Sequence, residues 1–173
     1  KLRGGIRKRC IVKLFLNLYE KINIKSNTFS LCGLIICCPS LTKTASAGPA
    51  KTVSSYNIDC YVVGSYLFEP SAVVNFNKKY FPILVETHQI GYGDTVLKLD
   101  GVTLSPSEYS EYGREPIIDP SNPSSRVVVG WNIVWRINPS SSKLYNGTHN
   151  LRAICNGING NTISDGISFN IQD

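Results

Sequence analysis

Methionine is absent from all 173 residues, histidine occurs only twice, and no apolar run approaches the length of a membrane span. Each shortage excludes something. Without a methionine the start of translation lies inside or before the printed chain, and residues 1–28 read as upstream sequence or a fragment as readily as a natural segment. Two histidines cannot close a zinc site, which takes three or four ligands, unless carboxylates or thiols stand near them. His88 and Glu86, two apart, share one face of a strand and would suit a metal or an acid-base pair. Nothing nearby completes the set, so a solvated polar face is expected there. His149 opens a strand, where it is expected to cap or pack a turn rather than catalyse.

Other chemical signatures are missing too. The serines lie in loops without the G-x-S-x-G elbow. "GYGD" at 91–94 has two glycines but no helix after it, so it reads as a turn and not as a nucleotide loop. Asp94, Asp100, Asp119 and Asp165 fall in turns without EF-hand spacing, which favours ordinary turn carboxylates over a calcium site. The expectation is a protein that is no enzyme, with no metal and no cofactor.

The charge is unevenly placed. The formal net charge is +6, yet residues 1–47 carry nine of the 18 Lys and Arg and a single acid, Glu20. Residues 48–173 hold nine basic against eleven acidic residues, a net of −2. A nucleic-acid surface needs clustered cations, and the body scatters its cations among acids, so no nucleic-acid partner is expected.

The basic segment resembles an export signal. "KLRGGIRKRC" is cationic, "FSLCGLIICC" (29–38) is a ten-residue apolar run closed by Pro39, and Ala45-Ser46-Ala47 supplies a small-residue cleavage site. A span needs about 20 apolar residues, so the membrane is expected to be met only during export. The competing reading makes "IVKLFLNLYEKI" (11–22) an amphipathic helix, with Ile11, Leu14, Phe15, Leu18 and Ile22 on one face, packed on the domain or on a membrane. Domain limits follow: a leader over 1–47, a linker over 48–56, and one domain over 57–173. The expected address is secreted or at the cell surface.

The body alternates with period two. Trp131, Ile133, Trp135 and Ile137 fall on one face of "WNIVWRI", and His149, Leu151, Ala153 and Cys155 on one face of "HNLRAIC". "ISFNI", "TVLKL", "IDCYVV", "AVVNF" and "FPILVETHQI" are further strands, rich in β-branched and aromatic residues. Turn signals stand between them at Asp100-Gly101, 119–125, 138–142, Asn146-Gly147 and 156–161. About seven strands in this length predict an all-β fold, an antiparallel two-sheet sandwich.

The run from Gly130 to Ile171 resembles the closing strands of bacterial immunoglobulin-like modules of secreted and cell-surface proteins. The matching residues are Gly130, Trp131, Leu144, Gly147, His149, Leu151, Ala153, Gly160 and the row Ile167, Phe169, Ile171. "DTVLKLDGVTL" matches a strand and turn of the same modules, and "YGREP" sits where they carry a polar connection, so the likeness is strongest over 94–171. It implies an immunoglobulin-like sandwich acting as a spacer or an adhesion module, with neighbouring domains and a surface glycan or protein as ligand. The alternative function is a carbohydrate-binding accessory module of a secreted hydrolase, with Tyr109, Tyr112 and Trp135 as a stacking platform. Tyr61, Tyr66, Phe68 and Tyr92 are further candidates for a contact surface, and Asn146 heads a glycosylation sequon.

Six cysteines divide four to two: Cys10, Cys32, Cys37 and Cys38 in the leader, Cys60 and Cys155 in the body. If the leader is removed, the last two have only each other, and a Cys60–Cys155 disulfide is expected in an exported protein. The alternative is two small buried hydrophobes that never meet.

Overall fold

Period-two alternation is realised as strands along most of the body. The computed structural model describes residues 52–173; the leader, the amphipathic stretch at 11–22, the four leader cysteines and the Ala45–Ala47 site lie outside the described residues. Ten strands follow one another: β1 Ser55–Val63, β2 Tyr66–Phe68, β3 Val74–Phe76, β4 Ile83–Ile90, β5 Gly93–Leu99, β6 Val102–Thr103, β7 Tyr109–Ile118, β8 Val128–Ile137, β9 Gly147–Gly157 and β10 Thr162–Ile171. Among the described residues the only helical elements are three short 3-10 turns, and no helix is long and apolar enough to cross a membrane.

The strands form two five-stranded sheets, ordered β2-β1-β4-β8-β7 and β3-β10-β9-β5-β6. The sheets face each other across one core. Ile83 and Val85 of β4, Ile133 and Ile137 of β8, and Tyr61 of β1 meet Leu97, Leu151, Ala153, Phe169 and Ile171 of the second sheet, each no more than 3 % exposed. Burying each large side chain contributes about 1.5–3 kcal/mol, and these rows are what hold the two layers together.

The count of seven strands is corrected to ten. The three strands added are β2 and β6, of three and two residues and too short to show a period in sequence, and the long edge strand β7. The all-antiparallel expectation is also corrected, because β3 pairs parallel with β10, Phe169 opposite Val74. "YGREP", read as a connection, lies inside β7. That strand is an edge, exposed along most of its length, so its sequence carries no buried alternation.

Two local devices set the geometry. Asp100 and Gly101, with φ of 50° and 82°, turn β5 into β6 in two residues, with Leu99 opposite Val102. Positive φ at both central positions is what a tight hairpin requires, and Asp-Gly supplies it. The second device is a bulge in β1. Ile58 pairs with Thr87 and Cys60 with Glu86, so Asp59 is an extra residue in the ladder. Beyond it the strand's faces are exchanged. Ile58 points into the core with Tyr61 and Val63, whereas Cys60 and Val62 point to the opposite face of the sheet.

The bulge overturns the expected disulfide. Cys155 stays in the inward row of β9, fully buried, as a free thiol, while Cys60 lies on the outer face of the other sheet. No Cys60–Cys155 bridge forms, because the two sulfurs lie on opposite sides of β1 and its sheet.

Candidate functional site

The most elaborate polar construction joins the two sequence motifs at one edge of the second sheet. Asp100 sits in the β5–β6 turn and His149 near the start of β9. The His149 ring is fully buried, its Nδ1 2.7 Å from Asp100 Oδ2 and its Nε2 2.7 Å from the Tyr145 carbonyl oxygen. The Asn150 backbone N–H donates to Asp100 Oδ1 at 2.7 Å, and the Tyr145 hydroxyl donates to Oδ2 at 3.3 Å. The Asp100 charge pushes the Tyr145 phenol up from its ordinary value. The imidazole is sandwiched between Tyr145 and Phe169, with centroid distances of 4.4 and 5.7 Å.

This geometry limits the chemistry. Both ring nitrogens face acceptor oxygens of the protein, so neither is offered to a substrate. The cluster ties a hairpin turn to the mouth of β9. It works as a fastener.

A second fastener stands at Glu108, in the crossing from β6 to β7. Its carboxylate accepts from the Ser105 N–H (2.8 Å), the Ser105 hydroxyl (3.0 Å), the Ser140 N–H (2.9 Å) and Lys143 Nζ (2.7 Å). Lys143 first, then the backbone donors, hold this carboxyl far below the usual carboxylate range. The bonds tie the β6–β7 crossing to the β8–β9 crossing. Sequence reading passed over Glu108, although Ser105-x-x-Glu108 has the spacing of a capping box. A third fastener is Asn161, whose amide donates to the Val53 carbonyl at 2.6 Å and whose carbonyl accepts from the Val53 N–H at 3.2 Å. It anchors the beginning of the described chain to the β9–β10 turn.

The expected ligand platform is not assembled. Trp135 points between the sheets, 8 % exposed, with Nε1 donating to Thr87 Oγ1 at 3.0 Å. Tyr109 meets it edge-on at 5.9 Å from the inner side, and only Tyr112, at the β7 bulge, is well exposed. A flat stacking surface needs coplanar exposed rings, and the inward turn of Trp135 removes one of the three. Tyr61 is likewise a core residue rather than a surface one, and Phe68 packs against it at 5.5 Å. Tyr66 and Tyr92 are exposed. Asn146 of the sequon is exposed just before β9.

Glu86 and His88 share the outer face of β4 as the two-residue spacing implies, but the solvated setting expected for them is corrected. Glu86 is 1 % exposed, and its Oε2 lies 3.5 Å from the Cys60 sulfur. His88 Nδ1 lies 2.8 Å from Asn132 Oδ1 and 4.0 Å from Asp59. Among the described residues no group of three or more His, Cys, Asp or Glu is placed to hold a metal ion.

Inside the sandwich a polar thread links the sheets, with Tyr56 Oη and Thr95 Oγ1 3.2 Å apart. Burial pushes the Tyr56 phenol up to about 12 and the Cys155 thiol up to about 11, the latter helped by Asp94. A thiol that stays protonated is a poor nucleophile, so Cys155 packs and does not react.

No curated protein matches the chain. A family model does match, over residues 75–169, more than half of the 173 and nearly all of the sheet structure from β3 to β10, including both Asp100–His149 and Glu108. The chain therefore belongs to the family described as a domain of unknown function, DUF4879.

Proposed function

We propose that this chain is a noncatalytic, immunoglobulin-like module of an exported or surface-displayed protein, serving as a spacer or an adhesion domain. One observation carries the reading: the strand order. In an immunoglobulin domain the strands A to G are arranged A-B-E-D on one sheet and G-F-C on the other. With β1, β4, β5, β7, β8, β9 and β10 taken in that chain order, the sheets read β1-β4-β8-β7 and β10-β9-β5. Cys155 then stands on the strand equivalent to F, while β4, the equivalent of B, has no cysteine and Cys60 belongs to β1. The inter-sheet bridge of antibody domains has no counterpart between β4 and β9, and hydrophobic packing serves in its place.

The residues that carry the family likeness support the same reading. His149, Leu151, Ala153, Ile167, Phe169 and Ile171 are all buried, and the buried polar groups around them strap loops and strands. Such an investment in rigidity suits a module that transmits position. Any ligand contact would fall to exposed tyrosines such as Tyr66, Tyr92 and Tyr112.

The test is the fate and behaviour of the full chain. Expressed with residues 1–47 attached, it is expected outside the cytoplasm with Gly48 as its first residue, and retention inside with an intact leader would refute the export reading. Displayed on beads, an adhesion module loses retention on cells with Tyr112→Ala at unchanged melting temperature. A module whose bead retention is indifferent to all three tyrosines is a spacer.

A further inference from the structure

Residues 48–173 are net −2, yet two cations stand side by side on the outer face of the β3-β10-β9-β5-β6 sheet. Leu97 and Leu99 of β5 and Leu151 and Ala153 of β9 face the core, so Lys98 and Arg152 between them point outward. The two oppose each other in the ladder, with Thr103 beyond Lys98 and Gly166 beyond Arg152. Opposed side chains of an antiparallel pair have Cβ atoms about 5 Å apart, close enough for like charges to repel. Among the described residues neither cation has an acidic partner. Asp94 lies about 13 Å away along β5, and the Asp100 carboxylate is taken by His149, Asn150 and Tyr145.

Arg152 is held in place by a neutral group. Its Nε and Nη2 both donate to the Ser164 hydroxyl, at 3.0 and 2.7 Å, which fixes the guanidinium on the face and leaves its charge uncompensated. A cation ordered in advance gives up little entropy on meeting an anion. Gly166 puts no side chain beside it, so the approach from β10 is open. The flanking rows differ in chemistry. On one side Val96 opposes Ile154, a half-buried apolar pair about 7 Å along the strands from the cations. On the other side Ser168 opposes Asn150 and donates to its amide oxygen at 2.7 Å, a row of hydroxyl and amide groups. An inorganic anion would use the cations alone. A sugar acid carries a carboxylate, hydroxyls and an apolar ring face, and so matches all three rows.

We propose that this face binds an acidic polysaccharide, with the carboxylate of a uronic-acid unit between Lys98 and Arg152 and the apolar side of its ring on Val96 and Ile154. The inference goes beyond the adhesion reading, whose contacts fall to the tyrosines. A spacer equally uses such a face, to lie along the polysaccharide of the surface that displays it.

The test titrates the full chain, labelled with nitrogen-15, with trigalacturonate and follows its amide resonances. Shifts are expected at Lys98, Arg152 and Gly166, with neutral maltotriose leaving them unmoved. Lys98→Gln with Arg152→Gln is expected to weaken binding about 10-fold or more. Both substitutions lie on the sheet surface, so the remaining resonances of the variant are expected to stay in place. Shifts confined to residues 1–47, whose nine cations attract any polyanion, overturn the proposal. So do shifts at Lys98 and Gly166 that persist undiminished in the double variant. Equal shifts with inorganic phosphate at the same concentration would make this a nonspecific anion site, and shifts with a polyglutamate peptide but not with trigalacturonate would make the partner a protein. Either result overturns the proposal. An exported chain without the shifts refutes this ligand alone, whereas a chain kept in the cytoplasm with its leader intact refutes the export reading whatever it binds.

Discussion

Asp100 and His149, 49 residues apart in sequence, meet at 2.7 Å with the imidazole fully buried and the carboxylate at the surface. The contact closes the β5–β6 turn onto β9, and it depends on a backbone that Asp tolerates, since Asp100 has a φ of 50°.

His149→Ala should cost about 3 kcal/mol or more, since it opens a cavity between Tyr145 and Phe169 and strands the Tyr145 carbonyl and the Asp100 carboxylate. Asp100→Asn keeps the turn and should cost about 1–3 kcal/mol, because the charge and one of the two acceptor oxygens are lost. Urea unfolding of the two single variants and the double variant should show coupling of about 1–3 kcal/mol, and additive effects would mean the pair does not act as a unit.

Glu108 makes stability depend on acid. Its carboxyl is depressed in the folded chain, so its contribution is fully present above the ordinary value of 4.5 and is lost as the pH falls below that towards the folded value. Glu108→Gln should lower stability at pH 7 by about 1–3 kcal/mol. The gap between variant and unaltered chain should narrow steadily below pH 4.5 in denaturant titrations. A gap independent of pH would contradict the assignment.

Cys155 should resist a soluble thiol reagent at pH 8, because burial raises its thiol to about 11 and shields it. Cys155→Ser should cost about 1–3 kcal/mol by burying a hydroxyl between the sheets. Peptide mapping under non-reducing conditions should find no peptide joining Cys60 to Cys155.

Gly130 faces Gln89 so closely that a Cβ would strike its carbonyl oxygen. The obstacle is backbone at the end of the β4–β8 ladder, where Ile90 opposes Gly130. Gly130→Ala should destabilise by about 2 kcal/mol or more through displaced strands, seen as a lower urea midpoint. Gly101→Ala places its Cβ in open space, so its cost should come from the left-handed backbone alone, about 1 kcal/mol.

Much of the fold was legible because strand chemistry is local. The rows Ile133, Trp135, Ile137 and Leu151, Ala153, Cys155 face inward as their alternation implies. The turn at Asp100-Gly101 adopts the positive φ its residues favour. What failed was non-local. β7 is an edge with no buried row to betray it, and β2 and β6 are two or three residues long, their strand identity coming from pairing with β1 and β5. The fasteners were hidden for the same reason: Asp100 and His149 each looked like turn chemistry, and Glu108 finds Ser140 and Lys143 more than 30 positions away.

The sequence by itself determined an all-β body, its turns, its inward rows and the separation of a cationic N-terminal stretch from a mildly acidic remainder, because propensity, alternation and charge are properties of neighbouring residues. Only the tertiary structure decided which strands pair, that Asp59 bulges and turns Cys60 away from Cys155, and that Glu86 is buried. A bulge is a choice made between two ladders, and burial is a property of what lies across the gap.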